Sequence, residues 1–364
     1  MSARAYVEVN LGAISANIKK IASQTDAEIL AVVKANAYGH GLLPVAVTAL
    51  EAGASWLGVA LLEEALTLRS KGITAPIIAW LTPPGDDFKI ALQENVDLSI
   101  SSIALLHEVH AAGKHAGIKP RIHIEVDTGM RRGGFLAEWR EFLAAFAEVK
   151  NDFHVIGLWS HFARADEPDS NFSEHQMRVF SSCESDLADI DVVPEITHLS
   201  NSAATMGIPS AHKSLVRIGI AMYGLSPDVN TLGTSKDLGL QPAMKIFAKL
   251  VNVKFAERGS SVGYGGTAVL TDDTHLGVVA MGYSDGLPRN ANSDAGTSAG
   301  PIVGRISMDQ CVIDCGENPA VKAGEYVEVI GEAYSADDWA RACGTINYEI
   351  VTRIAERMPR TYID

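Results

Sequence analysis

Ala31-Val-Val-Lys-Ala-Asn-Ala-Tyr-Gly-His-Gly41 joins a short apolar run to one lysine and then breaks into a small-residue loop with two glycines. Such runs are typical of parallel strands covered on both faces, so Lys34 reads as the last inward residue of a buried strand. Burial disfavours the ammonium form and makes the amine a nucleophile near neutral pH. On this stretch alone, a lysine snorkelling at a strand end stays open as the alternative.

Outward from it, short apolar runs recur at 28–34, 56–61, 76–81, 96–100, 121–127, 154–160, 195–200 and 215–218, with helix-like segments between them. Strands alternating with helices mean βαβ units and a parallel sheet. Eight of them in about 230 residues suit a closed (β/α)8 barrel of the TIM type, occupying 10–230. An open doubly wound sheet is the rival, but the glycine fingerprint for phosphate is missing after the first strand. Ahead of the barrel, 6–9 alternates like a strand, and Asn10 caps a helix with Leu11, Ile14, Ile18 and Ile21 on one face. The polar stretch 226–239 reads as a linker. Beyond it the period becomes two, with β-rich runs at 246–255, 277–281, 301–306, 310–314 and 326–330 and at most one short helix near 337–342. The expected fold is thus α/β: a barrel, then a mainly β C-terminal domain at 240–364 that the N-terminal segment 1–9 could join.

Composition bounds the partners. With 47% hydrophobic and 20% charged residues the chain is of ordinary globular type, and a net charge of −14 repels phosphate backbones and anionic lipid. Nucleic acid and membrane are not expected partners. No signal-peptide core and no bilayer-length apolar run is visible, and four cysteines read as free thiols in a reducing cytoplasm. Cys311 and Cys315 lack a second ligand pair, so no metal site is expected.

In a barrel, chemistry gathers where the strands end. Lys34 ends the first strand, Arg132 follows the fifth, His161 the sixth, Asn201 and Ser202 the seventh, and Arg217 closes the eighth. Each alone has a structural reading: a satisfied core histidine, a strand-end arginine, a helix cap. Together they place an amine, two guanidiniums, an imidazole and a hydroxyl at one end. Ser202 with the amides of Gly219 and Ile220 suits a phosphate after strands seven and eight. A lysine beside a phosphate pocket points to pyridoxal 5'-phosphate held as a Schiff base.

The same residues carry a resemblance. Val-Val-Lys34-Ala-Asn-Ala-Tyr-Gly-His-Gly resembles the cofactor-attachment signature of alanine racemases. Asp127-Thr-Gly-Met-x-Arg132, Ser160-His-Phe, Asn201-Ser-Ala, Arg217-Ile-Gly-Ile-Ala-Met-Tyr, Gly263-Tyr-Gly265, Gly282-Tyr-Ser-Asp-Gly-Leu-Pro-Arg289, Gly304-Arg-Ile-Ser-Met-Asp-Gln310 and Ile346-Asn-Tyr-Glu349 resemble the family's blocks in the family's order. The resemblance implies an isomerase interconverting L- and D-alanine, for peptidoglycan, by two-base proton transfer between Lys34 and Tyr264. It implies that Arg217, backed by His161, faces the pyridine nitrogen, and that Arg132 contacts the cofactor's phenolic oxygen. Tyr38, Asn201, Ser202, Gly219, Ile220 and Tyr348 then hold the cofactor. Met308 and Asp309 line the substrate side with Tyr283 at the entrance. It also implies a cytoplasmic homodimer in which Tyr264 and Met308 arrive from the partner chain. An arginine cannot readily protonate the ring nitrogen, which keeps the ring a weaker electron sink and suits racemisation. Related readings are a serine or broad-specificity racemase, a barrel-type decarboxylase, whose cysteine-aspartate block is not visible, and a non-catalytic cofactor-binding protein, against which Tyr264 argues.

Three positions depart from the family's pattern. Glu125 stands where many members have a lysine carbamylated to an anion. Strand alternation puts it with His123 and Asp127, facing the barrel interior toward Arg132 as a built-in anion; a glutamate that merely pairs with a barrel cation is the alternative. Arg131 replaces a usual glycine, and Ser307 a common cysteine.

Overall fold

A computed structural model describes residues 3–167 and 171–364. Two compact units emerge: Ile14–Ala37 with Leu42–Gln241, and Met1–Ala13 with Tyr38–Gly41 and Pro242–Asp364. The chain opens with β1 (Ala5–Asn10), a strand of the second unit, whose last residue caps the helix Leu11–Ala22 by accepting the Ala13 amide at 2.6 Å.

The first unit holds eight strands: β2 (Glu28–Val32), β3 (Trp56–Val59), β4 (Ile77–Ala79), β5 (Asp97–Ile100), β6 (Arg121–Glu125), β7 (His154–Trp159), β8 (Ile196–His198) and β9 (Leu215–Ile218). From β2 to β8 each strand pairs in parallel with the next, and β9 returns to β2, with Leu30 opposite Arg217. The seam between β8 and β9 carries single backbone bonds, Ser214 N to Thr197 O at 3.2 Å and Arg217 N to Ser200 O at 3.0 Å. The result is a nearly closed barrel. Side chains fill it so tightly that two strand positions must be glycine. A Cβ on Gly157 would lie 2.2 Å from His123 Nδ1, and one on Gly58 would lie 2.4 Å from the Trp80 ring.

The loop after β2 is the main surprise of this unit. Ala35, Asn36 and Ala37 form a left-handed turn at φ 52–53°, continued by Tyr38, and no glycine eases it. Each such residue costs about 1–2 kcal/mol, so the turn needs external anchors. The Glu64 carboxylate accepts the Ala35 amide at 2.6 Å, and Asn36 Oδ1 accepts the Leu42 amide at 2.8 Å.

In the second unit β10 (Met244–Ala256) pairs antiparallel with β1, and the strand Arg360–Ile363 adds in parallel to the other edge of β1. Thr274–Val279 and Tyr326–Ile330 also pair with β10. Three expectations change here. The run 301–306 contributes only the two-residue strand Gly300–Pro301, because Gly304 turns to φ 70° against the Val262 carbonyl. A second helix, Asn347–Thr352, forms from β-branched residues once Ile350 and Val351 are buried and Asn347 donates to Asp337 at 2.7 Å. The stretch 226–239 closes on itself, with buried Ser226 held by Ser235 and Gly233, and it packs as part of the barrel unit.

Candidate active site

The barrel gathers its polar residues at the strand ends. Lys34 follows β2 and is half-buried; burial and the charge of Arg132 lower its proton affinity, against a smaller opposing effect of Glu64. Arg217, on the adjoining β9, is 4% exposed. Its Nη1 donates to His198 O at 2.9 Å and to His198 Nδ1 at 3.2 Å. Its Nη2 donates to Ser160 O at 2.8 Å, Leu199 O at 3.1 Å and His161 Nδ1 at 3.2 Å. The guanidinium lies 5.1 Å from the centre of the Trp159 ring. Burial pushes its pKa down to about 9, while Glu125 opposes that shift. Its Nε–H donates to none of the described residues, which leaves one donor for a ligand.

His161 is held neutral, well below its usual range, by burial first and then by the charges of Arg217, Arg132 and Lys34. Ser202 opens the short helix Ser202–Gly207, and its hydroxyl accepts the amides of Gly219 at 2.9 Å and Ala221 at 3.4 Å. That hydroxyl and the amide-rich turn through Ile220 form the cradle expected of a phosphate site. Asn201 is the N-cap of that helix, accepting the Ala204 amide at 3.0 Å. Arg132 is exposed, on the loop after β6. Glu125 is buried; its carboxylate lies against the turn at Gly133, where a Cβ would be 3.0 Å from Oε1. Burial raises its pKa to about 7, with Arg132 and Arg217 opposing the rise and Asp127 adding to it.

The second unit collects the remaining candidates. Tyr283 and Met308 sit on facing turns, joined by Tyr283 N to Ser307 O at 3.0 Å and Ser284 N to Met308 O at 2.9 Å. Asp309 accepts from Arg357 at 2.7 Å and Ser284 at 3.1 Å, and the arginine bond holds its carboxyl below the usual range. Tyr264 starts the turn Tyr264–Gly266 and is 67% exposed; Met308 is 55% exposed. Tyr38 is buried with its ring 6.3 Å from that of Tyr348, and burial raises its phenol.

Gln176 was not visible from the sequence. Fully buried, it donates to Thr128 Oγ1 at 2.9 Å and His161 O at 3.0 Å and accepts the Ala163 amide at 2.9 Å, tying the loops after β6 and β7 together. A glutamine on a helical face carries no sequence signal for such a role. His198, which contacts Arg217, lay inside the expected seventh strand without a partner to mark it.

A near-closed barrel with a half-buried lysine, an open guanidinium donor and a hydroxyl-amide cradle defines a pyridoxal-phosphate enzyme of the barrel type. The donor set fits the group: Lys34 for its carbonyl, Ser202 with the Gly219 turn for its phosphate, and the free Nε–H of Arg217 for its ring. Comparisons with known proteins narrow the class. Models of the alanine racemase N-terminal domain and C-terminal domain match residues 9–227 and 243–362. The alanine racemase of Salinispora arenicola is 43% identical, over 99% of this chain and 98% of its own length. Crystallographic alanine racemase from Streptomyces lavendulae superposes with a TM-score of 0.96 at 42% identity, covering 100% of this chain and 98% of that one. The Bacillus anthracis alanine racemase with bound L-Ala-P gives 0.90 at 36% identity, covering 100% and 96%.

The chain belongs to the alanine racemase family. Its activity is the pyridoxal-phosphate-dependent interconversion of L- and D-alanine, the source of D-alanine for peptidoglycan. Among the described residues no helix is long and apolar enough to cross a membrane, and no cluster suited to a metal ion occurs.

Proposed function

We propose that Lys34 and Tyr264 are the two bases of the racemisation, and that a working site needs two copies of the chain in a cytoplasmic homodimer. The observation that carries this reading is the contrast between a half-buried amine of lowered proton affinity and a tyrosine left 67% exposed. Inverting Cα requires one group to take the proton on one face and another to return it on the opposite face. Bound pyridoxal phosphate supplies a conjugated ring that withdraws electrons from that carbon. Lys34 Nζ takes or returns the proton on one side, Tyr264 Oη on the other. Arg217 offers its free Nε–H to the ring nitrogen as a hydrogen bond, and neutral His161 accepts from Arg217 without adding charge. Ser202 and the amides through Gly219 and Ile220 anchor the phosphate with Tyr38 and Tyr348, and Asn201 fixes the helix that presents Ser202. Arg132 contacts the cofactor's phenolic oxygen and, with Met308 and Asp309, meets the substrate, with Tyr283 at the entrance. Glu125 supplies the anion that orients Arg132. Exposure of Tyr264 and Met308 supports a surface that a second copy covers.

The test is a visible spectrum with and without Lys34→Ala. Loss of the protein-bound cofactor band together with turnover supports the assignment, and a band that survives overturns it. Optical rotation with L-alanine and then L-serine ranks the substrates, alanine being turned over faster. Sedimentation at assay concentration is expected to give a dimer, and an active monomer would sink the shared site.

A further inference from the structure

Behind Arg217 a line of buried polar groups crosses the barrel. Arg217 Nη1 can only donate, so His198 Nδ1, 3.2 Å away, accepts, and the ring's single proton lies on Nε2. That Nε2 is 2.9 Å from His123 Nδ1, which therefore accepts and leaves the second ring's proton on its own Nε2. His123 Nε2 in turn lies 3.3 Å from Asp97 Oδ2. Asp97 is closed off by Arg121, which donates from Nε at 2.7 Å and Nη2 at 3.0 Å. Both imidazoles are fully buried and Asp97 is 1% exposed, so water does not compete for these bonds.

We propose that Asp97, His123 and His198 form a one-directional hydrogen-bond relay that fixes the orientation of Arg217, so that Nε–H is the one donor left for the cofactor ring. The three are positioning residues; none of them touches substrate. Their order follows from the inventory of donors. The chain ends at one side on a group that only donates and at the other on a carboxylate that only accepts, so each ring between them has one neutral tautomer available. A doubly protonated ring would set N–H against N–H, either at Arg217 or between the histidines. Packing supports the same orientation. The His198 and Trp159 rings are stacked 5.8 Å apart at 6°, Trp56 meets His123 edge-on at 5.5 Å, and the Cβ-less Gly157 leaves room for the His123 ring. Buried networks with every member satisfied are rigid and specify one arrangement.

The relay rests on the reading that Arg217 meets the ring nitrogen, and the two fail separately. Histidine 15N spectra of the cofactor-free and cofactor-bound protein are expected to show His123 and His198 neutral, each protonated at Nε2. A signal for Nδ1–H or for an imidazolium at either residue overturns the relay, and no variant is needed for that result. His123→Phe keeps the ring volume and removes the acceptor of His198. The buried Nε2–H of His198 then has no acceptor, so the His198 nitrogen signals and that of ring-labelled cofactor shift, and turnover falls about tenfold, the scale of losing an outer-shell partner, with little change in KM. Arg121→Gln removes the outer ion pair and leaves the relay, so the tautomers persist and turnover changes less than about twofold. Equal losses in the two variants, or a His123→Phe protein with unaltered His198 and ring-nitrogen signals, overturn the proposal. If the labelled ring nitrogen ignores Arg217→Lys, the placement of Arg217 against the ring fails, and the tautomers in the cofactor-free protein still decide the relay.

Discussion

The barrel mouth and the turn that carries Tyr264 are opposites in physical condition. Arg217 is 4% exposed and uses four N–H groups within its own chain, whereas Tyr264 is 67% exposed on a turn flanked by glycines at φ 74° and 75°. The first is preorganised; the second has a position but no surroundings. An electrostatic site works by excluding water around fixed dipoles. The barrel mouth satisfies that condition in one chain, and the Tyr264 turn does not.

The sharpest way to break this contrast is to remove the proposed base from each region. Lys34→Ala is expected to lower turnover at least about 10⁴-fold, and Tyr264→Phe about 10²–10⁴-fold. The stability of the Tyr264→Phe chain should stay within about 0.5 kcal/mol of the parent, as for other exposed substitutions. Mixing the two inactive proteins under conditions that exchange subunits tests the shared site directly. A mixed dimer carries one intact pair, so activity reappears on mixing; two proteins that remain inactive when mixed would place both bases in one chain.

A smaller effect probes how tightly the barrel half is packed. Gly157→Ala puts a carbon 2.2 Å from His123 Nδ1, with the neighbouring strands unable to yield. Overpacking of this kind costs about 1–3 kcal/mol, measurable as a lower urea midpoint. An unchanged midpoint would mean that the His123 ring has freedom to move.

Glu125 sharpens the electrostatic side of the comparison. Its folded pKa of about 7 lies above the ordinary 4.5. A raised acid contributes stability that is fully present below 4.5 and lost as pH rises through 7. Glu125→Gln removes that dependence, so the variant should gain on the parent by roughly 2–3 kcal/mol between pH 4.5 and 8, at 1.36 kcal/mol per unit. Denaturant titrations of the cofactor-free proteins at those two pH values check it. With cofactor and substrate the sign reverses for function: if the ionised carboxylate orients Arg132 as proposed, the variant's KM is the higher above pH 7. Groups facing Glu125 are Arg132, Arg217 and Asp127, and Arg217, with a pKa of about 9, keeps its charge across that window.

How much of this was legible in the sequence depends on whether a residue's role is set locally. All eight barrel strands could be read, because parallel strands are continuous apolar runs and each is buried on both faces. Lys34, Arg217 and Ser202 were found by where they end those strands. By contrast, the left-handed turn at Ala35–Ala37 has no glycine to announce it, since the Glu64 and Asn36 bonds that hold it come from outside the turn's own backbone. The helix Asn347–Thr352 ran against its β-branched composition because tertiary burial outweighs propensity. Gln176, His198 and Asp97 are set by contacts with residues far away in the sequence, for which spacing along the chain gives no sign.

The weakest effect concerns Arg131, where the chain departs from a usual glycine. It stands at φ 60°, a conformation a glycine adopts without cost and a residue with a Cβ resists by about 1–2 kcal/mol. Two terms oppose a return to glycine. A glycine loosens the unfolded chain by about 0.4–1 kcal/mol. The 3.4 Å contact of the exposed guanidinium with Asp127 is also lost, worth well under 1 kcal/mol at such exposure. The balance leaves Arg131→Gly more stable by about 0.5 kcal/mol, and replicate urea titrations at low salt resolve a shift of that size. Asp127 keeps the turn in place either way, since it accepts the backbone amides of Gly129 at 2.8 Å and residue 131 at 3.1 Å. A loss above about 1 kcal/mol would show that the ion pair, not the carboxylate's grip on the backbone, holds this loop. The barrel mouth would then be less self-contained than its contrast with the Tyr264 turn requires.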